Sequence, residues 1–261
     1  IFIERTNTQM SKTKSTDELH SHKKQALQNV EDYLNKLIAS EDSHDNGKAD
    51  KLCYWLKDWM TFLDFEKSFS PMSLRRYKRG EIVKVHLGFN VGSEEGGLHY
   101  AVVLDKNNAK SSPVITIIPL TSVKPHTDVT KLKNGSIFLG NELFAMLKSK
   151  ISSETKNLKE KIKELQELVN ELNDENSDNQ MAIIDPKLDI ANRDLELLDK
   201  MKAEVLKMKC GSIALVNQIT TISKIRIYDP KTDHDILSGI RLSNEKLDLI
   251  DDEIQKKFTN I

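Results

Sequence analysis

Cysteine is scarce: Cys53 and Cys210 are the two in 261 residues. Two thiols cannot build a disulfide framework, and they show no metal-ligand spacing. No stretch approaches the roughly 18 uninterrupted apolar residues of a membrane span. An excess of one charge is also lacking, with 39 Lys+Arg against 40 Asp+Glu and a formal charge of −1. That excludes a strongly charged disordered tail, and the composition is no collagen-like repeat either. No charged-then-apolar leader with a cleavage site opens the chain, so a cytoplasmic location is expected. The chain opens on Ile1 rather than Met; Met10 is taken as a candidate start, and the first nine residues carry no weight below. What remains, 38% hydrophobic and 30% charged, lies within the soluble globular range on its polar side.

Residues 1–75 read as a helical extension. Ser15-Thr16-Asp17-Glu18 offers capping side chains ahead of the stripe Leu27, Val30, Leu34, Leu37, Ile38. The polar run 40–48, with Asp45-Asn46-Gly47, should break that helix. A second is expected over about 49–66, with Leu52, Trp55, Leu56, Trp59, Met60 and Leu63 on one face packed against the rest of the protein. From Lys78 the pattern becomes that of strands: a mostly alternating 81–87, a short apolar run 100–104, and a β-branched run 113–120. Five of the ten glycines fall between Gly80 and Gly97, which asks for unusual dihedrals or a close backbone approach in that loop.

Residues 141–209 change again. Leu158, Ile162, Leu165, Val169 and Leu172 step by heptad intervals. A polar turn over 173–180 follows, Pro186 marks the restart, and Ala191, Leu195, Leu198, Val205 and Met208 form a returning stripe. This predicts an antiparallel helical hairpin with Lys and Glu on its solvated faces. After Cys210 strands return over 212–219 and 220–227, and a last helix is expected at 243–258, capped by Ser243. The β-rich pieces, 76–140 plus 210–261, suffice for one small domain. The expected fold class is α+β: a barrel interrupted by the 141–209 hairpin and preceded by helices.

Three stretches carry a resemblance. The first is Arg79-Gly80-Glu81-Ile82-Val83 followed by Gly92-Ser93-Glu94-Glu95-Gly96-Gly97-Leu98-His99-Tyr100-Ala101-Val102-Val103-Leu104. The others are Val114 to Ser122 and Ala214 to Lys224. In this order they resemble the MazF/PemK toxin family. The resemblance covers most of the barrel residues and neither the front helices nor the hairpin. It implies an SH3-like barrel that forms homodimers and acts as a metal-independent endoribonuclease in a toxin-antitoxin system. It also implies single-stranded RNA as substrate and a small antitoxin partner, with DNA touched only indirectly through the antitoxin complex. No cofactor, metal or membrane is implied.

Metal-free RNA cleavage can use the substrate's own 2′-hydroxyl as nucleophile. The protein must then accept that proton, protonate the leaving oxygen and stabilise the phosphorane. By position in the resemblance the catalytic residues are His99 and Thr121. Many relatives have Arg at the first of these places. An imidazole titrating near neutrality shifts the role towards true proton transfer. The alternative for His99 is a partly buried histidine bonded to backbone, and for Thr121 a strand-end residue making a turn bond. Substrate contacts are expected from Ser93, Ser122, Gln218 and Thr220. Arg79 either reaches phosphate or pairs with a carboxylate. Glu94 is read as structural or as a base-edge acceptor.

Thr220 is a second departure, standing where relatives often carry Arg or Lys; Lys224 and Arg226 are the cations that could compensate. The barrel pieces hold 16 Lys+Arg against 13 Asp+Glu and the hairpin 12 against 15, so RNA binding should be local and salt-sensitive. Two further readings compete. One is a catalytically weakened RNA- or peptide-binding protein on the same barrel. The other, a gyrase poison, is disfavoured because the chain ends Phe258-Thr259-Asn260-Ile261 rather than Trp-Gly-Ile. Asp233-His234-Asp235 has no His-x-x-x-His partner, and no Walker or dinucleotide-binding glycine loop is present.

Overall fold

A computed structural model of the chain describes residues 14–171, 177–208 and 211–260. Cys210, Leu172 and the first half of the expected polar turn lie outside them; its second half, 177–180, is the start of a helix. Two compact units divide the chain, the boundary falling between Trp59 and Met60.

In the first unit, α1 (Thr16–Ile38) starts at a complete capping box: the Ser15 hydroxyl accepts from the Glu18 N–H, and the Glu18 carboxylate accepts from the Ser15 N–H. Of its predicted stripe only Leu37 is buried, while Leu27 and Ile38 are exposed. The helix α2 (Ser43–Glu66) begins earlier than expected and runs through Asp45-Asn46-Gly47. Asp42 explains this, since its carboxylate accepts from the His44 N–H and its carbonyl from the Asn46 N–H. Gly47 inside the helix is a tolerated cost of about 1 kcal/mol. Trp59, Met60 and Leu63, expected to pack, are exposed.

In the second unit seven antiparallel strands form one connected sheet: β1 (Ile82–His86), β2 (Leu98–Val103), β3 (Val114–Ser122), β4 (Ser136–Gly140), β5 (Ser212–Leu215), β6 (Thr220–Ser223) and β7 (Ile227–Asp229). The nine-residue β3 is shared. Its first part pairs with β6, its middle with β2 and its end with β5. β1 pairs with β2 on one side and β7 on the other. A 3-10 turn, Lys224–Arg226, joins β6 to β7, and that covalent link closes the ring β3-β2-β1-β7-β6 into an SH3-like barrel. The sequence reading had one unbroken strand over 220–227 and another over 212–219. The first is cut by this turn, the second by a 3-10 turn at Val216–Gln218. β4 was not anticipated.

Alternation along the strands feeds two cores. Val83, Val85, Ala101, Val103, Ile115 and Ile117 point into the barrel with Tyr77, Ile222 and Ile227. Ile82, Val102, Ile118 and Leu120 face the other way. There they meet Leu143 and Leu147 from α3 (Glu142–Asn170), and Leu247 and Ile250 from α5 (Asn244–Phe258). Ser243 caps α5 as predicted, accepting from the Lys246 N–H.

α3 and α4 (Ser177–Lys207) are the hairpin inserted between β4 and β5. Leu158, Leu165, Ile184, Ala191 and Leu198 make its own core, and Lys161 reaches Asp194 at 2.6 Å across it. Two departures stand out. Ile162 and Val169, two of the five residues of the predicted seam, are exposed. Pro186 lies inside α4 rather than at its start. A proline there strips the Ala182 carbonyl of its helical donor. Ala182 is exposed, so water can serve that carbonyl, while Ile184 beside it is held in the interhelical core.

The root of the hairpin is bound to the barrel by polar groups. The Lys150 ammonium donates to the carbonyls of Asp235, Ile236 and Ser238 at 3.0, 3.0 and 2.7 Å, using all three donors. Glu204 on α4 accepts from Lys84 of β1 and from the Tyr100 hydroxyl of β2. No helix among the described residues is long and apolar enough to cross a membrane.

Candidate active site

The site starts from the loop between β1 and β2. Gly88, Gly92 and Gly97 take positive φ there, conformations that cost other residues. At Gly96 a Cβ would stand 2.8 Å from the Gly88 carbonyl, so the loop closes on itself at a point only glycine fits. The Leu87 N–H donates to the Gly97 carbonyl, and the Gly97 N–H to the Gly88 carbonyl. Glu94 is spent within the loop, accepting from the Val91 N–H at 3.2 Å, which agrees with its structural reading.

The loop delivers His99 near the start of β2. The β2–β3 register sets Ala101 against Pro119, and two residues further on it would set His99 against Thr121. His99 Nδ1 lies 3.1 Å from the Leu120 carbonyl. A carbonyl only accepts, so Nδ1 carries a proton. The other nitrogen, Nε2, faces away from that bond and stands 3.4 Å from Glu95 Oε2. His99 is thus a backbone-bonded, partly buried histidine whose second ring nitrogen stands beside a carboxylate. His99, Thr121 and Ser122 line one pocket of about 220 Å³, together with Tyr100, Lys207 and Ser212.

The predicted substrate-binding residues divide. Ser93 and Thr220 line a larger cleft of about 610 Å³, next to the first through Glu95, with Pro119 and Arg226 on its walls. Gln218 also lines it, but its amide is engaged: the Glu95 N–H donates to Oε1 at 2.6 Å and Nε2 donates to the Ser93 carbonyl at 3.2 Å. It pins the loop that carries both residues. Of the two candidate compensating cations, Arg226 lines the cleft and donates from Nε to the His86 carbonyl at 2.7 Å. Burial depresses its guanidinium below the ordinary arginine value. Lys224, by contrast, is buried and donates to the Ala109 carbonyl at 3.0 Å, with burial pushing its ammonium down. The 3-10 turn separates the two by rotating successive residues off the strand's alternation.

Arg79 lines neither cavity. Its guanidinium donates to the Leu104 carbonyl at 2.6 Å and pairs with Asp251 of α5. Of its two readings, the carboxylate partner is the one seen. Among the described residues no three His, Cys, Asp or Glu side chains gather as a metal site would.

Sequence reasoning missed two site residues. Glu95 gave no signal beyond its glycine-rich surroundings. Lys207 belongs to the inserted hairpin and lay outside every stretch carrying the resemblance. No curated protein matches the chain. Residues 78–179 match the family described as PemK-like, MazF-like toxin of type II toxin-antitoxin system. The matched stretch holds β1 to β4 and α3; the likeness of 214–224 rests on its residues alone.

Proposed function

We propose that this chain, whose residues 78–179 match the PemK-like, MazF-like toxin family, is an endoribonuclease that cuts single-stranded RNA without metal. The observation carrying this reading is that His99 and Thr121, from neighbouring strands, line the same pocket. In the proposed step the substrate's 2′-oxygen attacks phosphorus, and its proton passes to His99 Nε2. The bond from phosphorus to the 5′-oxygen breaks, and the leaving oxygen takes a proton from solvent. The products are a 2′,3′-cyclic phosphate and a 5′-hydroxyl. The Nδ1 bond to Leu120 fixes the ring so that Nε2 is the exchanging nitrogen. Thr121 and Ser122 donate hydroxyl bonds to the phosphate, and the neighbouring cleft takes the flanking bases, which single strands leave open to side chains. The same reading brings a second copy of the chain and a small antitoxin as partners.

The test is cleavage of mixed-sequence single-stranded RNA in EDTA. His99→Ala should lower the rate by at least about a hundredfold, the lower end for a positioned acid or base, with an unchanged melting temperature. An undiminished rate removes His99 from the mechanism. One observation favours the second reading, a binding protein without turnover: Glu95 Oε2 stands 3.4 Å from the nitrogen that must meet substrate. On that reading the wild type retains RNA in the same assay and leaves it intact.

A further inference from the structure

A phosphorane carries more negative charge than the phosphate from which it forms, and a cation placed close by stabilises that extra charge. Several of the barrel's own cations are committed elsewhere. Arg79 is paired with Asp251, Lys84 with Glu204, and Lys224 is buried against Ala109. Arg226 stands in the adjacent cleft, bonded to the His86 carbonyl. Of the described residues lining the pocket of His99 and Thr121, Lys207 alone carries a permanent positive charge.

Lys207 is not part of the barrel. It is the last residue of α4, where the inserted hairpin returns to β5. It is exposed, and among the described residues none forms a salt bridge with it. Glu204, one turn earlier, has its charge taken up by Lys84 and the Tyr100 hydroxyl. Those bonds fix the end of α4 against β1 and β2, and so fix where Lys207 begins. Ser212, the first residue of β5, pairs with Ser122 in the β3–β5 register and lines the same pocket. Two hydroxyl strand ends and one ammonium therefore converge beside His99.

We propose that Lys207 binds the scissile phosphate and stabilises its transition-state charge, so that the helical hairpin is part of the RNA site. This rests on the endoribonuclease reading and extends it to a residue outside the barrel. A flexible ammonium suits the task as a point charge aimed at a non-bridging oxygen.

The test uses the full chain with Lys207→Ala, Lys207→Arg and Lys207→Glu, and two readouts. The first is single-turnover cleavage of mixed-sequence single-stranded RNA. The second is the salt dependence of binding to the same RNA made uncleavable by 2′-O-methylation. Lys207→Ala should lower the cleavage rate by about a hundredfold, as for the loss of one transition-state donor. It should also flatten the plot of log affinity against log salt by about 0.7, the share of one phosphate contact in a single strand. Lys207→Arg should restore most of both, and Lys207→Glu should be worse than alanine. Because the side chain is exposed at a helix end, all three variants should melt with the wild type. A Lys207→Ala variant that cleaves at the wild-type rate, or keeps the wild-type salt slope, overturns the proposal. A wild type that binds the methylated RNA but cuts no RNA overturns the nuclease reading alone, and the slope still decides whether Lys207 holds phosphate. A wild type that neither binds nor cuts overturns both.

Discussion

At the scale of single residues, the site depends on which side-chain atoms are already engaged. Gln218 was expected to touch substrate, yet its amide is occupied at both ends by the loop that carries Ser93 and Glu95. Its task is therefore to hold Glu95 beside His99. Gln218→Ala should release the Glu95 N–H. Exchange of that amide should quicken by about fivefold, the equivalent of a net hydrogen bond of about 1 kcal/mol, while the global melting temperature stays put because the loop is surface structure. Hydrogen exchange resolved to the loop checks this, and unchanged protection at Glu95 would mean that the clamp contributes nothing in solution. The same residues show what could be read beforehand. His99, Thr121 and Ser122 were legible because the resemblance assigns them by their place in the sequence, and they line one pocket. The commitments of Arg79 to Asp251 and of Lys224 to Ala109 were not, since each depends on a segment distant in sequence. A charged residue in a strand pattern does not announce its partner.

At the scale of elements, the capped helices were the easiest to foresee. Ser15 and Ser243 mark their helices to the residue, because capping chemistry is local. Strand ends were harder. The 3-10 turns that stop β5 and β6 contain no glycine or proline to announce them. α4 was misjudged at Pro186 because tertiary packing of Ile184 outweighs a local breaker.

Glu204 joins element to element, and it carries a pH signature. Burial raises its carboxyl, but hydrogen bonds from Lys84 and Tyr100 and the charge of Lys84 outweigh this and hold it below the ordinary glutamate value of 4.5. A depressed carboxyl contributes stability that is present above the unfolded value and lost as pH falls through the folded one. The stability difference between wild type and Glu204→Gln should thus be constant from pH 7 to about 5 and shrink below about 4.5. Between pH 5 and 7 it should amount to about 1.5–3 kcal/mol, as for a hydrogen bond to a charged group. Denaturant midpoints across pH 3–7 measure it. A difference that grows on acidification would contradict the assignment of the carboxylate as the anchor.

At the scale of the whole molecule, the hairpin has two parts that should answer differently to removal. Its root is barrel structure: Leu143 and Leu147 sit in the core against the sheet, Val205 and Met208 pack against that core, and Lys150 and Glu204 bind the barrel's backbone and strands. Its distal part is self-contained, with Leu158, Leu165, Ile184 and Ala191 burying one another. The ion pair Lys161–Asp194 and the contact of Lys187 with Glu164 set which residues lie opposite across it. Continued towards the root, that register would bring 156 and 198 side by side, about 8–10 Å apart for packed helices, a gap that about four residues can bridge. Joining 156 to 198 by such a linker should leave a folded chain that still cleaves RNA, because Lys150, Glu204 and Lys207 remain. Replacing 145–205 by a similar linker removes Leu147 together with both polar anchors. Losing one fully buried leucine alone costs about 2–5 kcal/mol, against a total stability of about 5–15 kcal/mol. The longer deletion should therefore unfold at far lower denaturant and lose cleavage with it. Denaturation midpoints and RNA cleavage on the two deletions separate the outcomes. If both chains behaved as the wild type, the insertion would be decoration on the barrel. If both collapsed, the distal helices would be part of one cooperative core with it.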